Sequence, residues 1–153
     1  MTKERFRRLF DYEEWANRRT LESIREASKH GRCVELFAHI LAAQEVWLTR
    51  LAKKDSSEVP VWPENDLTQC SLRLDLFAGT IDKYLDELEE GDLEREIEYY
   101  NQTGATFTHS PLEILTHLGL HSQHHRGQIA HELRGLGEEP AATDYIVFLR
   151  EED

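Results

Sequence analysis

The order of apolar and polar residues along the chain predicts four amphipathic helices. From about Lys3 to Ser28, Phe6, Leu9, Phe10, Trp15, Leu21 and Ile24 recur at the three- and four-residue spacing of one helix face. Gly31 breaks that pattern. A second run, roughly Cys33 to Lys53, places Leu36, Ile40, Ala43, Trp47 and Leu51 on one side, and the polar loop "DSSEVPVWPEN", with Pro60 and Pro63, follows it. Asp66 with Gln69 three residues on has the form of a capping box, in which each side chain bonds to the other's backbone N–H. It opens a third helix that carries Leu74, Phe77, Ile81, Leu85 and Leu88 to about Glu90 and stops at Gly91. Ser110-Pro111-Leu112-Glu113 opens the fourth: an N-cap serine, a proline in the first turn and a glutamate placed to reach back. That helix runs to about Leu136, with Gly137 as the residue that ends it.

Between the third and fourth helices lies "EREIEYYNQTGATFTHS", where two β-prone stretches flank Asn101–Gly104 and predict a short hairpin. A short helix is predicted near the C-terminus, from about Asp144 to Leu149. Four amphipathic helices bury their apolar stripes most readily against one another. The expectation is an all-α protein: a four-helix bundle with a hairpin-like insertion before its last helix, forming a single domain over residues 1–153.

Composition removes several functions. A net charge of −12 repels a phosphate backbone, and the one basic cluster, "KERFRR", is closely followed by the acidic "DYEE"; nucleic acid is not expected as a partner. No stretch is long and apolar enough for a membrane span, and the N-terminus lacks the apolar core of a secretory signal, which leaves the cytoplasm as the expected location. Cys33 and Cys70 are far apart and form no CxxC; they read as reduced core thiols.

The informative residues are histidines, five of the eight lying between His117 and His131. A helical wheel of the fourth helix, with its apolar arc defined by Ile114, Leu118, Ile129, Leu133 and Leu136, puts His121 at the edge of that arc and His125 inside it. Residues four apart stand one above the other on a helix, so two imidazoles can reach one ion. A third ligand must come from another helix, and His39, at the margin of the second helix's apolar face, is the natural candidate. His124 and His131 fall on the outer face, and His30 and His109 fall in loops. His117 is either a partner to a ligand or a partly exposed side chain. The HxxxH spacing is equally open to buried histidines that bond only to backbone or carboxylate groups. Glu-x-x-His, HExxH, GxSxG, GxGxxG and P-loop patterns are absent from the sequence, which excludes the chemistry each supports. A mononuclear site with three nitrogen ligands and open positions is the metal chemistry that remains.

"HILAAQEVWLTRL" (His39 to Leu51) and "HLGLHSQHHRGQI" (His117 to Ile129) resemble the two signature helices of the DinB-like (DinB/YfiT) superfamily. "DYEEWANRRTLESI", with Tyr12, Trp15 and Asn17, resembles its first helix, and "YYNQTGATFTHSPLEIL" resembles the segment entering its last bundle helix. The resemblance implies a DinB-like bundle, often dimeric, in which His39, His121 and His125 bind one divalent ion such as nickel or zinc. Each imidazole would then offer one nitrogen at about 2.0–2.2 Å. It also implies relatives that are thiol-dependent S-transferases or isomerases, so a low-molecular-weight thiol is an expected cosubstrate. A metal-dependent hydrolase on the same three histidines, or a non-catalytic metal- or small-molecule-binding module in a stress response, are the alternatives. Gly119, Gly127 and Ala130 lie away from the His121/His125 face and would let another helix approach, either within the bundle or across a homodimer with C2 symmetry.

Overall fold

The computed structural model describes residues 2–152. Four long helices form the body: α1 (Lys3–Glu26), α2 (Cys33–Leu51), α3 (Leu67–Glu87) and α4 (Pro111–Gly135). A hairpin of β1 (Ile97–Tyr100) and β2 (Thr106–His109) precedes α4, and α5 (Tyr145–Glu151) closes the chain. Helix α2 packs along α4 and α3, while α1 packs along α3 and α4, so the four helices close a ring in the order α1–α3–α2–α4. The architecture is the all-α bundle that the periodicity predicts. Among the described residues no helix is long and apolar enough to cross a membrane.

Both predicted capping boxes form. Asp66 accepts from the Gln69 N–H while the Gln69 side chain accepts from the Asp66 N–H, and Ser110 and Glu113 do the same at the start of α4. Each satisfies two of the free amides that every helix start leaves. The C-terminal ends come earlier than the periodicity suggests. Helix α1 stops at Glu26 because Ala27 turns extended, after which the amides of Ser28 and Lys29 both donate to one Glu138 oxygen at 3.0 Å. Helix α3 stops at Glu87 because an extended Leu88 enters the core.

The hairpin pairs antiparallel, Ile97 opposite His109 and Tyr100 opposite Thr106. Its turn is made by Asn101, whose Oδ1 accepts from the Thr103 N–H, the Thr103 hydroxyl and the Ala105 N–H. Gly104 takes a φ of +85° there, where a side chain would be strained. Ile97 and Tyr99 turn into the core, while all four residues of β2 are exposed. The hairpin thus covers one end of the bundle.

A small cluster of Tyr12, Ala16 and Phe148 joins α5 to α1, and the rest of the apolar burial is divided in two. One cluster contains Phe6, Phe10, Leu48, Leu51, Ile81, Leu85, Ile114 and Leu118; the other contains Leu21, Ile24, Leu36, Phe37, Ile40, Leu74, Ile129 and Leu133. On three helices the residues between the clusters are polar and buried: Glu13, Asn17 and Thr20 on α1, Gln44 on α2, Ser122 and Arg126 on α4. Trp15 and Trp47, read from the pattern as core, are only half-buried: Trp15 packs against Phe148 of α5, and Trp47 against Arg50, Tyr99 and His117. Cys33 and Cys70 are buried and unpaired with each other, and burial pushes both thiols up to about 11.

Candidate metal centre

Because α2 lies against α4, His39 meets the two histidines that α4 stacks one turn apart. One donor nitrogen from each of His39, His121 and His125 lies within 4.8 Å of the other two. The His39 ring is 5.1 Å from that of His121 and 4.7 Å from that of His125, edge to face in both cases. His39 is buried; the other two are half-buried.

Neighbouring oxygens set the tautomers. The Nδ1 of His39 is 2.7 Å from the Val61 carbonyl oxygen, which can only accept, so Nδ1 carries the proton and Nε2 keeps its lone pair. The Nδ1 of His125 is 2.6 Å from Oε1 of Gln128, which fixes the same tautomer. Burial lowers the pKa of His39 and, reinforced by the neighbouring imidazoles, drives that of His121 down to about 3. These rings are neutral at pH 7, the state in which an imidazole nitrogen can bind a metal.

The sequence profile of the DinB family matches residues 1–153. The chain belongs to the DinB family. It is also similar to Protein DinB of Bacillus subtilis (strain 168), with 24% identity over 93% of this chain and 92% of that protein.

The donor set suits the divalent ion that the DinB resemblance implies. The Nε2 atoms of His121 and His125 are 3.2 Å apart. Two nitrogens bound to one ion at about 2.0–2.1 Å are separated by about 2.9 Å at a right angle and about 3.4 Å at the tetrahedral angle. The observed spacing falls between them. His121 Nδ1 is buried without a protein partner, so this ring, unlike the other two, has no protein acceptor to hold its proton on that side. No Cys, Asp or Glu joins the three histidines among the described residues. A cavity of about 310 Å³ opens beside His39 and His121, lined also by Trp47, Arg50, Val61 and Gln102. A separate, largely apolar groove between α2 and α3, lined by Leu41, Leu48 and Phe77, holds no histidine.

The remaining histidines divide as follows. His117 is exposed on one side, with its ring 5.2 Å from Trp47 and 5.5 Å from His121, and desolvation there lowers its pKa. His124 and His131 are exposed. His30 sits before α2 against the Ala27 carbonyl, and His109 lies at the end of β2, where it bonds to the Tyr99 hydroxyl at 2.8 Å. Gly119 serves the bundle, since the Leu9 side chain packs directly over it, whereas Gly127 faces open space.

Three features of this DinB-family site were not readable from periodicity. Trp62, in the proline-flanked loop, stacks flat on His39 with ring centroids 3.7 Å apart. Arg50, polar and near the end of α2, is buried against Trp47 and Tyr99. Arg126, next to His125, points the other way, toward α1. It reaches Glu13 with two nitrogens at 3.0 and 2.7 Å and Asn17 at 2.9 Å. Tyr12 extends that cluster by donating to the Thr143 carbonyl at 2.7 Å, which ties the approach to α5 onto α1. The only sequence signals for this clamp were Tyr12 and Asn17 in the first family-like helix and the arginine of HHRGQ.

Proposed function

We propose that His39, His121 and His125 bind one divalent metal ion, nickel or zinc, and that the protein is a metal-dependent enzyme of the thiol S-transferase type. The observation that carries this reading is the convergence of three imidazoles, two with their tautomers set for coordination, beside a cavity that a small molecule can enter. A bound ion would supply Lewis acidity that makes a coordinated thiol or water more nucleophilic at neutral pH. The chain's own residues orient the imidazoles through Val61 and Gln128 and shield one side of His39 with Trp62. In the transfer itself, a thiol gives up its proton and its sulfur bonds to an electrophilic carbon, whose leaving group departs with the bonding pair. Hydrolysis is the second reading, since the same cavity admits water.

The test is metal content after purification without chelator, and again after reconstitution. One equivalent is expected in the wild type and little in His39→Ala, His121→Ala or His125→Ala, each with helicity preserved. Unchanged metal content in all three variants would overturn the assignment. To separate the two reactions, the protein is loaded with cobalt and given a low-molecular-weight thiol. A sulfur-to-metal charge-transfer band that is absent from His125→Ala supports S-transfer. An unchanged spectrum moves hydrolysis ahead.

The assembly proposed is a cytoplasmic homodimer that does not bind nucleic acid. The exposed Leu120 and the open Gly127 on the outer side of α4 support a helix-to-helix contact between copies, and the −12 charge opposes phosphate binding. Light scattering that gives a monomer mass at tens of micromolar protein, or salt-sensitive binding of duplex DNA, would each remove its part of the proposal.

A further inference from the structure

Arg50 is a buried cation with no anion beside it. It is 7% exposed, and Nε donates to the Ser56 hydroxyl at 3.1 Å. Its guanidinium carbon stands 4.5 Å from the Trp47 ring and 5.3 Å from that of Tyr99. The other buried arginine, Arg126, is matched by Glu13. Arg50 has no carboxylate partner among the described residues, and burial lowers its pKa with only Tyr99 opposing. In a chain with 30 acidic side chains against 18 basic ones, a neutralising partner was abundantly available. Burying a charge without one is costly, and contact with aromatic faces returns only part of that cost.

Arg50 lines two cavities: the one that opens on His39 and His121, and a second that also contains Lys53, Lys54, Asp55, Ser56 and Glu98. Several other polar groups of the histidine cavity's lining are engaged within the protein. The Asn101 carbonyl closes the hairpin turn, the Thr103 hydroxyl donates to it, and the Gln102 amide donates to the Val59 carbonyl at 2.9 Å. Nε of Arg50 is taken by Ser56, and its terminal guanidinium nitrogens, without a protein partner among the described residues, are left to bind a ligand. In the second cavity Asp55 and Glu98 offset Lys53 and Lys54, so an anion is favoured on the histidine side, where Arg50 is the one charged lining residue. One cation with a planar pair of donors matches a single carboxylate better than a doubly charged phosphate.

We propose that the substrate of this site is a small molecule bearing one carboxylate, bound by Arg50, with its reacting group directed to His39 and His121. The inference rests on the metal-site reading for the reacting end only; the carboxylate contact is independent of metal.

The probes are 3-mercaptopropionate, its neutral amide, and 2-mercaptoethylphosphonate. They are titrated into zinc-loaded and metal-free full-length protein, and binding is followed by the Trp47 indole NMR resonance. The acid is expected to bind about tenfold or more tightly than the amide in both forms. That preference should vanish in Arg50→Gln and be partly kept in Arg50→Lys, which retains charge without the fork. Equal binding of acid and amide by the wild type overturns the proposal, as does a preference that survives Arg50→Gln. Tighter binding of the phosphonate overturns the carboxylate assignment. Thermal melts establish that the variants fold, and should Arg50→Gln not fold, the wild-type comparison and Arg50→Lys decide. If the metal-site reading fails, zinc does not load, yet the acid-over-amide preference is still read on the metal-free protein.

Discussion

His125 and Arg126 are neighbours in sequence, yet they belong to two polar clusters of opposite character. Arg126 and Glu13 form a closed cluster: both side chains are 1% exposed, and Glu13, Asn17, Tyr12 and Gln123 take up the guanidinium's terminal nitrogens. Only Nε of Arg126 lacks a partner. The histidine cluster is open. One nitrogen from each ring lies close to the other two, burial lowers the pKa of His39 and His121, and a cavity lies beside them. A buried polar cluster whose donors and acceptors satisfy one another has the character of structure. One whose ring nitrogens gather at a shared point beside a cavity has the character of a binding site. The helix does not distinguish them; the partners do, carboxylate and amide on α1 against a third imidazole on α2.

The largest effect is expected from breaking the closed cluster. Glu13→Ala leaves a buried guanidinium without its counter-charge and should destabilise the protein by about 3–5 kcal/mol, measured by urea unfolding. Replacing both partners with apolar residues, Glu13→Leu with Arg126→Met, should recover much of that loss, because no buried charge is then left unpaired. The double variant should still bind its full equivalent of metal. If it folds but takes up no metal, the clamp and the histidine site are one unit and the comparison fails.

A smaller effect is expected where the open cluster borrows a partner. Gln128 holds the His125 tautomer from the same helix, three residues on. Gln128→Ala should weaken metal affinity by about 10–100-fold, with little change in the stability of the metal-free protein because Gln128 is exposed. Competition against a chelator of known affinity gives the number. A loss of stability without a loss of affinity would make Gln128 part of the scaffold.

The difference between the clusters also explains what the sequence could reveal. His121 and His125 were legible because they sit on the apolar side of a strongly periodic helix, where a polar residue stands out. His39 was legible for the same reason on α2. Glu13 and Arg126 were not, since a charged residue among others on α1 or α4 reads as solvated until the fold brings together positions 113 apart. Trp15, whose spacing fits the core, is half-buried against α5 instead, where it meets Phe148 and donates to Glu151. Arg50 escaped notice because its partners are aromatic rings on α2 and β1 and not a carboxylate. Helix starts were readable from local hydrogen-bonding side chains, as Asp66 and Ser110 illustrate. The end of α1 depended on Glu138, more than a hundred residues away.

Trp62 tests the boundary between the two characters, and the smallest effect is expected there. It stacks on His39 in planes 5° apart but is 48% exposed, and it follows directly after Val61, whose carbonyl fixes the His39 tautomer. If stacking only orients the ring, Trp62→Ala should weaken metal binding by about 0.5–1.5 kcal/mol, the range for an aromatic pair beyond its area, or roughly 2- to 12-fold. Trp62→Phe should keep most of the affinity. The Val61 carbonyl remains in both variants, so a much larger loss in Trp62→Ala would mean that the indole anchors the loop and, through it, the proton on His39. That outcome would place the loop between Pro60 and Pro63 inside the site, as a part that the helices alone do not supply. An unchanged affinity would assign the stack to packing and leave the Val61 carbonyl as the contact through which this loop acts on His39.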